Sequence, residues 1–136
     1  MIRLTRAYRF CASHRLHSAS LSEAANREVY GKCNNPYGHG HNYQLEVTVA
    51  GPVDAASGKV VDVPRLDGLV ESSVLRHFDH QDLNAVPEFA ELVPTSENLV
   101  MVIEQRLRQA WFAGAGPRLE NVRLHETRRN RFDLRL

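Results

Sequence analysis

Residues 41–50 alternate without a break: His41, Tyr43, Leu45, Val47 and Val49 share one parity, Asn42, Gln44, Glu46 and Thr48 the other. Successive side chains on a strand leave opposite faces, so this run specifies a strand with one buried and one polar face. Residues 2–14 repeat the pattern, with Ile2, Leu4, Tyr8, Phe10 and Ala12 opposed to Arg3, Thr5 and Arg9, and end on His14 at the apolar parity. Two strands of this kind need a covering layer over their apolar side.

The covering layer is legible further along. Pro64 suits the first position of a helix, and Leu66, Leu69, Val70, Val74 and Leu75 make a helical stripe ending near Phe78. Thr95 or Ser96 caps a second helix, with Leu99, Val102, Ile103, Leu107 and Trp111 on its buried face, and Gly114, Gly116 and Pro117 stop it. Two closing strands are expected near 119–127 and 131–136, and a short one at Lys59–Val63 after the turn 51–58. Residues 19–30 are polar with helical character at 22–25. The segment 31–40 is a loop by its Gly, Asn and Pro content, as are DHQDLN and 86–94. The pattern predicts a single α+β domain, 1–136, with an antiparallel four-stranded sheet and two helices on one face. Its open edges favour pairing with another subunit.

The formal net charge of +1 gives no footprint for nucleic acid or an anionic membrane. Arg128, Arg129, Arg131 and Arg135 read as a solvated strand face. No apolar run is long enough to span a bilayer, and the start of the chain has no signal-peptide pattern. With two cysteines, the expected compartment is a reducing, cytoplasmic one.

Seven residues are histidine. His39 and His41 are two apart, so on a strand both imidazoles leave one face, as two ligands of one ion require. If the first two strands pair as an antiparallel hairpin, His14 at the end of one meets the start of the other. Three neutral imidazoles suit zinc and leave a fourth position open, the mark of a catalytic site. An HxH pair alone is equally a polar loop end. His17, His77 and His125 lack such a setting and read as surface or hydrogen-bonding residues.

Cys33 lies in the loop before the metal strand, where a thiol made acidic by a nearby cation could transfer protons. Cys11, between Phe10 and Ala12, reads as a small packing residue. Asp79–His80 offers a carboxylate and an imidazole at a helix end, or simply a helix terminus and turn. Glu126 shares the parity of Val122 and Leu124. A carboxylate there is an anchor for an amidine-like ligand or half of an internal salt bridge.

The stretches FCASHRLHS, GKCNNPYGHGHNYQLEVTV, SGKVVDV, FDHQDLN, PTSENL and LHET, in this order, resemble the 6-pyruvoyltetrahydropterin synthase family, which includes 6-carboxytetrahydropterin synthases. The resemblance spans Phe10 to Thr127, and GKCNNPYGHGHNY is its specific core. It implies the tunnelling fold, assembled sheet to sheet into an oligomeric barrel, commonly a hexamer. It implies a lyase that converts 7,8-dihydroneopterin triphosphate to 6-pyruvoyltetrahydropterin and triphosphate. By the motif match His14, His39 and His41 hold Zn2+; Cys33, Asp79 and His80 form the proton-transfer group, built across a subunit interface. Glu126 grips the guanidine-like edge of the pterin, and Thr95, Ser96 and Glu97 line its pocket. Tyr37 and Ser96 depart from the commoner residues without removing a functional group.

Two other readings use the same residues. A 6-carboxytetrahydropterin synthase of the queuosine (deazaguanine) route shares the metal and catalytic groups. The five residues between Cys33 and His39 favour the pyruvoyl-forming enzyme. A non-catalytic zinc- or pterin-binding module would have no use for Cys33, Asp79 and His80 together.

Overall fold

The structure is a computed structural model describing residues 1–114 and 116–136. Strand β1 (Ile2–His14) and strand β2 (His39–Gly51) pair antiparallel along their whole length, from Ile2 opposite Gly51 to His14 opposite His39. Helix α1 (Glu23–Tyr30) lies between them in sequence, capped by Ser22, whose hydroxyl accepts from the Ala25 N–H at 3.1 Å. Strand β4 (Arg118–His125) continues the sheet beyond β2, and β5 (Arg131–Arg135) closes that edge.

The sheet has five strands rather than the expected four, in the order β3-β1-β2-β4-β5, and it is mixed. The extra strand, β3 (Gln81–Asp82), pairs parallel with Ala12 and Ser13. It sits within the polar segment DHQDLN, where two residues are too few to show alternation. The strand expected at Lys59–Val63 is absent: the chain there is irregular, and Val63 already opens helix α2 (Val63–Val70).

A π-helical turn (Glu71–Leu75) joins α2 to the short α3 (Arg76–Phe78). The buried residues of this segment are Leu66, Val70, Val74 and Phe78, each four apart. In an ideal α-helix a four-residue step overshoots a full turn by about 40°, so this row would wind off the sheet. The wider π turn takes up the excess and keeps the row facing the core. Helix α4 (Ser96–Ala110) buries Leu99, Val102, Ile103 and Leu107 beside it. Both pack on Phe10, Tyr43, Leu45, Val47, Val49, Val122 and Leu124, the inward parity of the strands.

The opposite face of the sheet is open. Cys11 lies there, exposed, its thiol donating to Asn42 Oδ1 at 2.9 Å. The expectation of a packing residue fails because odd parity on β1 points away from the helices. Arg6, on the inward parity, is held by Asp67 of α2, which also accepts from the Tyr8 hydroxyl at 2.7 Å. Among the described residues no helix is long and apolar enough to cross a membrane.

Candidate metal and acid–base site

The antiparallel register does what the histidine spacing requires. His14 faces His39 across the ladder, and Ala12 faces His41, so the three imidazoles share one end of the sheet's inner face. Ring centroids are 4.6 Å apart for His14–His39 and His39–His41, and 5.0 Å for His14–His41, all near edge-on. One nitrogen from each ring lies within 4.8 Å of the others. Gly38 makes this approach possible. Its φ is +73°, and a Cβ there would come within 3.2 Å of the His14 carbonyl oxygen.

The tautomers are constrained as well. His14 Nδ1 donates to the Pro94 carbonyl at 2.8 Å, which leaves the lone pair on Nε2. That Nε2 lies 3.1 Å from His39 Nε2. His41 Nε2 is buried with no hydrogen-bond partner among the described residues. Two nitrogens tetrahedrally bound to zinc at ordinary bond lengths stand about 3.3 Å apart. The donor set, its spacing and the orphaned His41 nitrogen therefore fit a three-histidine metal site. Burial pushes both His14 and His41 below the ordinary histidine pKa, favouring the neutral form a metal binds.

Cys33 lies on a 3-10 turn (Gly31–Asn34), half-buried. Its carbonyl accepts from the Leu16 N–H at 2.8 Å, tying this loop to the segment that follows His14. Buried Asn34 tightens the same junction by donating to the Leu16 carbonyl at 2.7 Å. The thiol is pushed up, first by burial and then by the charge of Glu126. The acidic thiol expected from sequence therefore needs a cation supplied to the site.

Glu126 follows β4, its N–H bonded to the Asn130 carbonyl at 3.1 Å. Its carboxylate accepts from the Ser96 hydroxyl at the start of α4, and among the described residues no arginine pairs with it. The field of Glu126 reaches His14, His41, Cys33 and Tyr43, so these groups form one cluster. Burial, then Glu126, pushes the Tyr43 phenol well above its ordinary range, so Tyr43 stays protonated, its oxygen 3.4 Å from His14 Nδ1. Thr95 spends its hydroxyl capping α4, accepting from the Asn98 N–H at 3.2 Å. Glu97, in the first turn, is exposed.

Asp79 and His80 lie at the edge of β1, where His80 and His41 line one open cleft. Asp79 Oδ1 accepts from the Cys11 N–H at 2.9 Å, and the His80 N–H donates to the Cys11 carbonyl at 2.6 Å. Both therefore grip the free edge of β1. His80 adopts φ +59°, a conformation that costs energy for a residue with a Cβ. Its Nδ1 sits 3.1 Å from Asp79 Oδ1, and its side chain is 79% exposed. No hydrogen bond or ion pair links Cys33 to either residue among those described.

Of the other histidines, His17 Nδ1 meets Asn34 Nδ2 at 3.0 Å, His77 meets the Ser72 carbonyl at 3.1 Å, and His125 pairs with Glu46. Sequence reasoning missed Tyr43, Asn34 and the Pro94 carbonyl. Tyr43 has the right parity but reads as core, Asn34 looks like an ordinary turn residue, and a backbone carbonyl leaves no sequence trace.

The family model described as 6-pyruvoyl tetrahydropterin synthase matches residues 3–135. A 6-pyruvoyl tetrahydrobiopterin synthase of Poecilia reticulata is 45% identical, covering 93% of this chain and 85% of the relative. The enzyme of that name from Homo sapiens is 41% identical, covering 93% and 86%. A 6-carboxy-5,6,7,8-tetrahydropterin synthase of Rickettsia bellii is more distant, 27% identical over 93% of this chain and 95% of its own. The solved 6-pyruvoyl tetrahydropterin synthase of Caenorhabditis elegans superposes with TM-score 0.91 at 39% identity, covering 98% of this chain and 94% of that one. The chain belongs to the 6-pyruvoyl tetrahydropterin synthase family.

Proposed function

We propose that the chain is a zinc-dependent 6-pyruvoyltetrahydropterin synthase, a lyase acting on 7,8-dihydroneopterin triphosphate. The observation that carries the reading is the orphaned His41 Nε2 beside the facing nitrogens of His14 and His39, with Cys33 and Glu126 in the same cluster. Bound zinc would supply a Lewis acid for the hydroxyls of the substrate side chain.

The protein's own groups take the remaining roles. Glu126 accepts hydrogen bonds from the guanidine-like edge of the pterin, and Ser96 orients its carboxylate. Thr95 and Glu97 shape that pocket from the start of α4. Cys33 exchanges a proton with substrate carbon, and bound zinc would favour its thiolate. His80, with its Nδ1 oriented by Asp79, exchanges the second proton through Nε2.

In this reading Asp79 and His80 act on a substrate held by a neighbouring copy. The reading therefore includes a homo-oligomer, a hexamer by family resemblance, in which the open sheet faces join into a barrel. A cytoplasmic setting keeps both cysteines reduced.

Incubating the zinc-loaded protein with dihydroneopterin triphosphate and identifying the products by mass tests the reading. Expected are 6-pyruvoyltetrahydropterin and triphosphate. A 6-carboxy product with acetaldehyde would replace it with the carboxy-forming activity. No product despite bound zinc would leave a binding module.

A further inference from the structure

Beside the histidine cluster, one cleft concentrates charge of a single sign. Its volume is ≈ 370 Å³, and Arg15, His17, Arg27 and Lys32 wall it, with Glu23 as the lone carboxylate. The chain carries a net charge of only +1, so this is a local concentration and not the spill of a basic surface. Among the described residues none of the three permanent cations forms an ion pair.

Among the described residues the Arg15 side chain makes one hydrogen bond, Nε to the Asn34 carbonyl at 3.2 Å, and its terminal nitrogens make none. Those two nitrogens are the fork that grips a phosphate. Asn34 Nδ2 can only donate, so His17 Nδ1 accepts from it and the imidazole proton sits on Nε2. The cleft is tied to the site through the backbone. Arg15 follows His14, Lys32 precedes Cys33, and the Leu16–Cys33 backbone bond of 2.8 Å locks the two segments together.

We propose that this cleft is a polyphosphate subsite, in which Arg15, Arg27 and Lys32 hold the triphosphate arm of the substrate. The identity of that arm rests on the synthase reading; the affinity for polyphosphate does not. When the substrate's C–H proton passes to the protein, the C–H electron pair forms the new C=C bond. The C–O pair then departs with the triphosphate. Cations already facing that oxygen stabilise its added charge, so the subsite assists departure as well as binding.

Calorimetry with inorganic tripolyphosphate on the zinc-loaded protein tests the subsite. R27E and K32E alter exposed side chains, and each is expected to weaken binding about tenfold or more, the equivalent of one lost charged contact. Zinc content, melting temperature and affinity for unphosphorylated 7,8-dihydroneopterin are expected to stay at wild-type values. Tripolyphosphate affinity that both variants leave unchanged overturns the proposal, as does equal affinity for a single inorganic phosphate. If tripolyphosphate binds through Arg27 and Lys32 but dihydroneopterin triphosphate is not turned over, the subsite stands and the synthase reading falls.

Discussion

His14 is 1% exposed and braced by strand register, a backbone carbonyl and Tyr43, whereas the His80 imidazole is 79% exposed and braced by Asp79 alone. Both belong to the proposed catalytic set, yet only the first sits in a finished environment. The histidine cluster takes its geometry from a thirteen-pair ladder within one chain. The Asp79–His80 corner is fixed at its backbone and open at its side chain, as a group that completes a neighbour's site would be. On the proposed reading, the metal site forms within a single subunit and the proton-transfer set only on assembly.

The largest test breaks the finished half. H41A removes the orphaned ligand, and metal analysis should find zinc lost, with turnover down by about 10³-fold or more, as removal of a Lewis acid worth several kcal/mol implies. H80Q should leave zinc content intact. If H80Q lost zinc as H41A does, the distinction between the two regions would fail.

Next in size are C33A and H80Q taken singly, each expected to lower turnover by about 10²–10⁴-fold with zinc retained. Mixed oligomers of the two variants, formed by coexpression, should recover activity that neither has alone, because some interfaces would pair an intact Cys33 with an intact His80. Absence of recovery in verified mixed oligomers would place the whole set within one chain.

Smaller is the effect of Glu126 on Cys33. Its charge raises the thiol pKa, so E126Q in metal-free protein should move the alkylation rate–pH curve of Cys33 to lower pH. Burial is the larger cause and remains, so the shift should fall short of restoring an ordinary thiol. Alkylation of exposed Cys11 serves as the internal control.

The smallest effect probes the support common to both regions. Strand β1 ends in His14 and grips Asp79 and His80 through Cys11, and Asp67 clamps it to α2 through Arg6 and Tyr8. The Arg6 hydrogen bond holds the Asp67 carboxyl below its ordinary range, with burial opposing. Its stabilising effect is therefore present above the unfolded value of about 3.9 and is lost as pH falls through the lower folded value. D67N should cost under about 1 kcal/mol, since the pair is partly exposed, and should flatten the acid limb of stability, measured by denaturant titration. Both regions should respond alike.

The sequence carried the histidine cluster well because alternation and spacing are both local, and antiparallel pairing converts them directly into position. Leu66, Val70 and Phe78 were equally legible as a buried stripe, but the π turn that keeps them aligned was not, since i+4 spacing alone does not show how a helix winds. β3 leaves no trace in the sequence because two residues carry no period. Cys11 is exposed despite its apolar neighbours, because neighbours on a strand belong to the other face. The raised thiol pKa of Cys33 was beyond reach, because it depends first on burial and then on Glu126, and both are set by the tertiary fold.

The pairing of His14 with His39 has a last consequence. A hairpin closed one residue out of step would turn alternate side chains to the wrong surface and scatter the three imidazoles. Metal uptake would then proofread the fold: a chain that retains zinc after dialysis has certified the alignment of its two longest strands, and misaligned material would betray itself by coming off the column metal-free.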